Sequence, residues 1–154
     1  MKHLLLFSLM VSAILLPTVV AAHDFEVDGI YYNINGNEAT VTFKGSESYD
    51  PYEEEYFGHV VIPESVTWND TTFPVTAIGE RAFESCQDLI SVTCSNTITE
   101  IGVDAFSCCN NLTNIYFGNG LKVIGEGAFS HCISLASADI PNSVTIISDY
   151  AFWQ

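Results

Sequence analysis

The chain has 154 residues, which is enough for one domain and short for two. Its 19 Asp and Glu residues against 4 Lys and Arg give a formal charge of −15, and the few basic residues are scattered singly. This balance excludes a nucleic-acid-binding surface, because phosphate contacts need clustered Lys and Arg. Hydrophobic residues make up 48% of the chain, which excludes wholesale disorder and favours a packed core.

Residues 1–22 are typical of a secretory signal peptide. A short basic start precedes the uncharged run Leu4–Leu16, Pro17 breaks this run, and Val20-Ala21-Ala22 has the small-residue form of a cleavage site. The alternative is an uncleaved anchor, since the whole segment is long enough to cross a bilayer. Pro17 and the small residues favour cleavage before His23. We therefore expect a secreted or cell-surface protein with no membrane span after cleavage.

The segment 23–56 is predicted to be a β-hairpin followed by an acidic linker. Apolar residues alternate on both sides of Asn35-Gly36-Asn37, which is typical of two antiparallel strands joined by a tight turn. The linker Ser46–Tyr56 contains three adjacent Glu residues. They lack the alternating carboxylates and the glycine of a calcium loop, so a solvated acidic loop is favoured.

From residue 57 the sequence repeats itself every 23 residues. The segment Ile78–Phe83 returns at Ile101–Phe106, at Ile124–Phe129 and, with Ser148 in the place of glycine, at Ile147–Phe152. Agreement over so many columns identifies a repeat protein. The other columns are Cys86, Cys109, Cys132; Leu89, Leu112, Leu135; Val92, Ile115, Ala138; and Cys94, Phe117, Ile140. In the first repeat the strand columns, which are expected to face the core, are filled by Phe57, Val60, Ile62 and Val66.

Each unit is predicted to contain one strand and a short helical turn. Ile115 and Phe117 face one side of a strand, and Asn114 and Tyr116 face the other. Glu126–Cys132 suits one or two helical turns with its apolar residues on one face. A single unit has no partner for its apolar side. Stacked units share a continuous core, so the sequence predicts an α/β solenoid over residues 57–154.

One run of the sequence carries a more specific pattern, Leu-x-x-Val-x-Ile-Pro-x-Ser-Val-Thr-x-Ile-Gly-x-x-Ala-Phe-x-x-Cys. Most of it appears in Leu135–Phe152, and Ile62–Thr67 contains part of it again. This pattern resembles the BspA-like leucine-rich repeat family of exported bacterial surface proteins. The resemblance implies a horseshoe with one parallel strand per repeat on its concave side. It also implies a role in adhesion to host proteins or other cells.

The two ends of the repeat region differ from its middle. In the first repeat 11 residues, instead of the usual 2, separate Val66 from Ile78, which predicts an inserted loop around residues 68–74. The N-terminal hairpin is expected to cap the first repeat. The chain stops at Gln154, within the fourth copy. We therefore expect either further repeats or self-association through this uncapped C-terminal repeat.

Five cysteines in an exported chain suggest a disulfide framework, but their positions favour another interpretation. Cys86, Cys109 and Cys132 share one column, so we expect them to be buried as small apolar residues and not bridged. The convex side of a leucine-rich arc is splayed, which would separate them too far for a disulfide. Cys94 is also expected in the core. Cys108 is the best candidate for a reactive thiol or an intermolecular bond.

The sequence contains no recognisable catalytic or metal motif. It has no Cys-x-x-Cys pair, and the few histidines are isolated, so neither a metal site nor a cofactor is expected. Glu80 and Glu126 share a column and offer the pair of carboxylates that a glycoside hydrolase uses. Cys108 and His131 offer a Cys–His pair across stacked repeats. Residues at positions that vary from repeat to repeat are usually exposed surface residues without a catalytic role, so we do not expect an enzyme.

Ligand recognition is expected on the outward side of the strands. Neighbouring strands lie ~4.8 Å apart, so the outward residues of successive repeats form one patch. The alternative is a plain solvated surface. Tyr116 is the strongest candidate, because exposed aromatic residues recur at binding hot spots. The candidate residues are His59, Val61, Ser91, Thr93, Asn114, Tyr116, Ser137 and Asp139.

Taken together, these features favour an exported binding module that contacts a protein or glycan ligand on a host or bacterial surface. Two alternatives remain open: the chain is a non-catalytic repeat scaffold of a longer surface enzyme, or it is itself a hydrolase that uses scattered carboxylates.

Overall fold

The computed structural model of the protein describes residues 23–45 and 56–154. The predicted signal peptide and residues 46–55 of the predicted linker lie outside these ranges. Among the described residues there is no helix, and so none that could cross a membrane. The strands are β1 (Phe25–Val27), β2 (Ile30–Asn35), β3 (Glu38–Thr42), β4 (Gly58–Ile62), β5 (Ser65–Trp68), β6 (Thr71–Ile78), β7 (Leu89–Cys94), β8 (Glu100–Ile101), β9 (Asn114–Tyr116), β10 (Val123–Ile124) and β11 (Ile146–Ile147).

The N-terminal strands form an antiparallel meander. β1 pairs with β2 and β2 with β3, so the predicted hairpin is present. Its turn, Gly36-Asn37, has a φ of 64° at Gly36, a conformation that favours glycine. β3 then runs parallel to β6 and joins the meander to the repeats.

The repeats build two parallel sheets. The smaller sheet has the order β4-β7-β9, and the larger one continues from β3 through β6, β8, β10 and β11. In the larger sheet Ile78, Ile101, Ile124 and Ile147 align from strand to strand. The smaller sheet has strands in three repeats only, because residues 137–139 of the fourth repeat form no strand.

The insertion in the first repeat is a hairpin rather than the predicted loop. β5 and β6 pair antiparallel around Asn69-Asp70, whose φ angles are 47° and 61°. Positive φ at both central residues is typical of the two-residue turn that matches the twist of the flanking strands. The Trp68 ring stacks on Phe25 at 5.2 Å, so the hairpin packs against β1.

Each repeat returns through two successive reverse turns where helical turns were predicted. In the third copy the turns are Gly125–Ala128 and Phe129–Cys132, and each is closed by a hydrogen bond between its first and last residues. The third residue of each has a positive φ, 59° at Gly127 and 57° at His131. A positive φ interrupts a right-handed helix. The helical-turn prediction is therefore wrong, and the described residues are all-β rather than α/β.

The reverse turns are joined from one repeat to the next. The N–H groups of Asp104, Phe106 and Cys108 donate to the carbonyl oxygens of the residues 22 positions later, at 2.8 to 2.9 Å. The same pattern starts from Arg81 and from Gly127. Alternate N–H groups along the turns thus find acceptors between repeats instead of within a helix. The turn side is as tightly stacked as a sheet, so the expected splaying of this side is wrong.

A column of aromatic rings runs through the core along the stack. Phe83, Phe106, Phe129 and Phe152 follow one another at ring-centroid distances of 4.8, 5.0 and 5.1 Å with nearly parallel planes. Tyr56 extends the column at 4.3 Å from Phe83. The ring spacing is a direct measure of the distance between successive repeats.

Phe57 is the clearest exception to the predicted core. Its column places it inside, but its side chain is 71% exposed. Gly58 has a φ of 65°, and the register between β4 and β7 shifts between Gly58 and His59. This bulge turns Phe57 outward, while the preceding Tyr56 is buried.

The fourth repeat is less covered than the others. Ile147 is 49% exposed, although its equivalents in the three preceding repeats are fully buried. Ile140, predicted to lie in the core, is 40% exposed. β11 is an edge strand of the larger sheet, so no strand among the described residues lies beyond it.

The cysteine column lies in the core. Cys86, Cys109 and Cys132 are buried, as predicted, and so is Cys94. Cys108 is half-buried. All five cysteines lie within the described ranges, and none forms a disulfide in the structure.

Candidate binding face

One face of the smaller sheet is packed and the other is open. Ile62, Val92 and Ile115 are buried in the core. Because successive side chains of a strand point to opposite faces, the residues between them point outward. We call this outward surface the binding face. It consists of His59, Val61, Ser91, Thr93, Asn114 and Tyr116.

The first row of the binding face is polar. The strand register places His59 beside Ser91 and Ser91 beside Asn114. Nδ1 of His59 lies 2.7 Å from Oγ of Ser91, so these two side chains are hydrogen-bonded across β4 and β7. Oδ1 of Asn114 accepts a hydrogen bond from Oγ1 of Thr113 at 2.8 Å. An imidazole, a hydroxyl group and an amide thus lie in one line and can both donate and accept hydrogen bonds.

The second row is partly apolar. Val61 lies beside Thr93, and Thr93 lies beside Tyr116. Val61 is 66% exposed and Tyr116 is 56% exposed. Val61 and Tyr116 therefore expose an aliphatic and an aromatic side chain to solvent on either side of Thr93, next to the polar row.

The remaining two predicted residues, Ser137 and Asp139, lie outside the sheet. Both are exposed, as predicted for outward positions, but they belong to a segment without strand structure. The structure therefore brings together six of the eight candidates and leaves these two without a strand pairing to β9.

Two exposed apolar residues next to the binding face were missed from the sequence. Phe57 and Ile90, which is 42% exposed, line a depression of about 810 Å³ together with Asp88, Asn111 and Thr113. Phe57 was assigned to the core because its bulge leaves no trace in the repeat pattern. The exposure of Ile90 could have been predicted, because the equivalent residue in the next repeat is the polar Thr113.

The residues considered for catalysis lie on the turn side of the repeats, away from the binding face. Glu80 and Glu126 lie on the turn side, two repeats apart, with Val103 between them in the column. Cys108 accepts a weak hydrogen bond from Ser107 at 3.8 Å, whereas the His131 ring packs against Trp153. Within residues 23–45 and 56–154, no group of three or more His, Cys, Asp or Glu side chains is placed to hold a metal ion.

The stacked units, the two parallel sheets and the shared core define a leucine-rich repeat protein. The family model described as "BspA type Leucine rich repeat region" matches residues 52–154 in six copies. The chain belongs to this family, and the resemblance inferred from its sequence is confirmed.

Solved structures of similar proteins agree with this assignment. A leucine-rich repeat protein from Bacteroides ovatus is 32% identical, with a TM-score of 0.73, and the match covers 85% of this chain and 33% of that one. The T. pallidum leucine rich repeat protein is 25% identical, with a TM-score of 0.65, over 80% of this chain and 52% of that one. A leucine-rich repeat protein from Bacteroides capillosus is 29% identical, with a TM-score of 0.58, over 80% of this chain and 97% of that one.

The chain thus spans about a third of the Bacteroides ovatus protein and about half of the T. pallidum protein. No curated protein sequence matches the chain.

Proposed function

We propose that the protein is an exported, non-catalytic binding module whose binding face contacts a protein or glycan on a host or bacterial surface. The exposure of Val61 and Tyr116 carries this proposal. Both residues stand on a sheet whose opposite face already supplies the core, so their apolar surface is not needed for folding. Exposed aromatic side chains next to hydrogen-bonding groups are the usual composition of binding hot spots.

The polar row supports recognition of a specific partner. The hydrogen bond between His59 and Ser91 holds both side chains in place before a ligand arrives. Such preorganisation lowers the entropic cost of binding. The depression beside Phe57 and Ile90 extends the apolar part of the surface past the N-terminal end of β4.

Export is supported by the signal-peptide pattern of residues 1–22. A non-catalytic role is supported by the position of the carboxylates. Glu80 and Glu126 are on the turn side rather than on the binding face, whereas a glycoside hydrolase needs two carboxylates on either side of one bond. A repeat scaffold within a longer surface enzyme is the alternative, and self-association through the C-terminal repeat stays a prediction.

The proposal is tested with residues 23–154 immobilised and offered to a panel of purified extracellular-matrix proteins and to a glycan array. We expect saturable binding of at least one member. Hydrogen exchange on that complex should show protection in β4, β7 and β9. Protection confined to the turn side, or to the larger sheet, would show that the binding face is assigned to the wrong surface.

A further inference from the structure

A cleft lies between the N-terminal meander and the first repeat. It is lined by Asp28 and Gly29 of the β1–β2 turn and by residues of β4. His59 and Val61 point to one face of β4 and Val60 to the other, so a cleft lined by all three lies against the edge of this strand. We call it the edge cleft. Its volume of about 350 Å³ is at the lower end of the range for ligand sites, about 300–1,000 Å³, and therefore suits a single side chain.

A buried polar group in the edge cleft has no partner. Tyr32 lines the cleft although it is fully buried, and its ring is held in place by stacking on Phe25 at 5.3 Å. Within residues 23–45 and 56–154, the Tyr32 hydroxyl group forms no hydrogen bond. Buried hydroxyl groups are normally hydrogen-bonded, so this one is available to a group that enters the cleft.

A carboxylate lies close to this hydroxyl group. Asp28 is exposed, and among the residues that the structure describes its side chain forms neither an ion pair nor a hydrogen bond. Burial and the negative charge of Asp28 together raise the pKa of Tyr32, so the two groups occupy the same part of the cleft. The edge cleft thus combines an uncompensated negative charge with a free hydrogen-bonding group.

The remaining lining is largely apolar and includes Val27, Ile30 and Val60. This composition fits an apolar stem that ends in a cation. An alkylammonium group has three donors and no acceptor, and both the carboxylate and the lone pairs of the hydroxyl group can accept from it. The methylene stem packs on aliphatic side chains. The net charge of −15 also attracts a cation toward this protein.

The position of β4 favours a protein ligand over a free amine. Among the described strands β4 pairs with β7 alone, so it is an edge strand of the smaller sheet. An edge strand offers unpaired N–H and C=O groups, to which an extended peptide can add as a further strand. A side chain of such a peptide is brought directly to the edge cleft.

We propose that the edge cleft is a specificity pocket for the side chain of a lysine in an extended segment of a protein ligand. The ammonium group lies between the Asp28 carboxylate and the Tyr32 hydroxyl group. The inference rests on the proposed function, because His59 and Val61 belong both to the cleft and to the binding face. It narrows the ligand from a protein or a glycan to a protein with an accessible lysine.

An NMR titration of nitrogen-15-labelled residues 23–154 tests the pocket, with the peptide acetyl-Ser-Val-Lys-Val-Ser-amide as the probe. His59 also lines the cleft, so the titration is run at about pH 8, where histidines are ordinarily neutral. We expect saturable shifts of the Gly29 and Val60 amide signals. The same peptide acetylated at the lysine Nζ has lost its charge and should cause none.

Two variants probe the polar groups of the pocket. Asp28→Asn should raise the Kd at least about tenfold, because the ammonium group loses its charged partner. Asn tolerates the left-handed φ of 52° at this position, so the turn is kept. Tyr32→Phe removes only the unpartnered hydroxyl group and should raise the Kd about threefold or more.

Asp70→Asn is the matched control. Asp70 is exposed, also lies in a two-residue hairpin turn with a positive φ, 61°, and does not line the cleft, so its Kd should equal that of the wild type. Equal increases in Asp28→Asn and Asp70→Asn would reduce binding to attraction by net charge and overturn the proposal. An unchanged Kd in Asp28→Asn, or no binding of the lysine peptide, would also overturn it.

A glycan is the competing occupant. Shifts of Gly29 and Val60 caused by methyl β-galactoside and not by the lysine peptide would assign the cleft to a sugar and overturn the proposal. The proposed function fails separately from the pocket. Protection of β7 and β9 by a ligand from the binding panel would still support the binding face in each of these cases.

Discussion

The Tyr56 ring lies 4.3 Å from the Phe83 ring and continues the aromatic column beyond the first repeat. Its hydroxyl group donates a hydrogen bond to the carbonyl oxygen of Thr42 at 2.6 Å and accepts one from the N–H of Tyr31 at 3.1 Å. One side chain thus joins the core of the repeats to the N-terminal meander. Tyr56 thus adds a tilted ring contact and two buried hydrogen bonds to the pairing of β3 with β6 that joins the meander to the repeats.

The first prediction concerns this joint. Tyr56→Phe keeps the ring but removes both hydrogen bonds, and the loss of buried hydrogen bonds costs about 1–3 kcal/mol. Urea unfolding should show this decrease in the free energy of unfolding. Tyr116→Phe removes an exposed hydroxyl group and serves as the control, with no measurable change expected. Equal stabilities of the two variants would mean that the hydroxyl of Tyr56 does not hold the meander.

The second prediction concerns the aromatic column. Phe106 is fully buried between two parallel rings, so Phe106→Ala should cost about 3–5 kcal/mol of unfolding free energy by leaving a cavity. Val61→Ala removes exposed apolar atoms and should change stability by less than about 0.5 kcal/mol. Chemical denaturation measures both. A loss in Phe106→Ala as small as that in Val61→Ala would contradict a continuous core.

The third prediction concerns the close approach of repeats at Gly118. A Cβ atom there would overlap the carbonyl group of Ser95 and lie 2.9 Å from Cα of Asn96, and both are backbone contacts that cannot rotate away. Gly118→Ala should therefore cost about 2 kcal/mol or more. Gly36→Ala is the matched control. A Cβ at Gly36 meets nothing within 4 Å, so the cost there is only about 1–2 kcal/mol of left-handed strain. If thermal unfolding showed a larger destabilisation in Gly36→Ala than in Gly118→Ala, the close approach of the repeats at Gly118 would be refuted.

The fourth prediction concerns alkaline pH. Burial raises the pKa of Cys94 from 9.0 to about 12. The folded protein keeps a proton that the unfolded chain releases above pH 9, so this stabilisation is complete below pH 9 and is lost as the pH rises toward 12. In that window a single group of this kind lowers the free energy of unfolding by about 1.4 kcal/mol for each unit by which the pH rises. Urea unfolding at pH 8 and pH 10 should therefore show a smaller pH-dependent loss in Cys94→Ala than in the wild type. Identical losses would mean that Cys94 titrates normally in the folded state.

Much of the strand architecture could be predicted from the sequence, because the period of 23 residues and the alternation within each strand leave little freedom. Ile115 is buried and Tyr116 is exposed, as the alternation requires. The helical turns could not be distinguished from reverse turns, since the spacing of Ala128, Phe129 and Cys132 brings them to one side in either conformation. The positive φ at positions such as His131 decides between them, and that angle is unusual for a residue other than glycine.

The errors at the candidate site have equally local causes. The bulge at Gly58 moves Phe57 by one position, and a one-residue shift exchanges the two faces of a strand. Ser137 and Asp139 carry the same column pattern as the strands, but their segment forms no strand. Column patterns report which residues face the core. They do not report whether the backbone completes its hydrogen bonds.

The affinity of Tyr116→Ala for a ligand found in the binding panel tests the proposed role of the binding face most directly. Loss of a hot-spot aromatic should raise the Kd at least about tenfold, which is about 1.4 kcal/mol. Tyr150→Ala is the matched control, because Tyr150 is 66% exposed but lies on the turn side. Its Kd should equal that of the wild type. An unchanged Kd in Tyr116→Ala, or a loss of binding in Tyr150→Ala alone, would contradict ligand binding at this face.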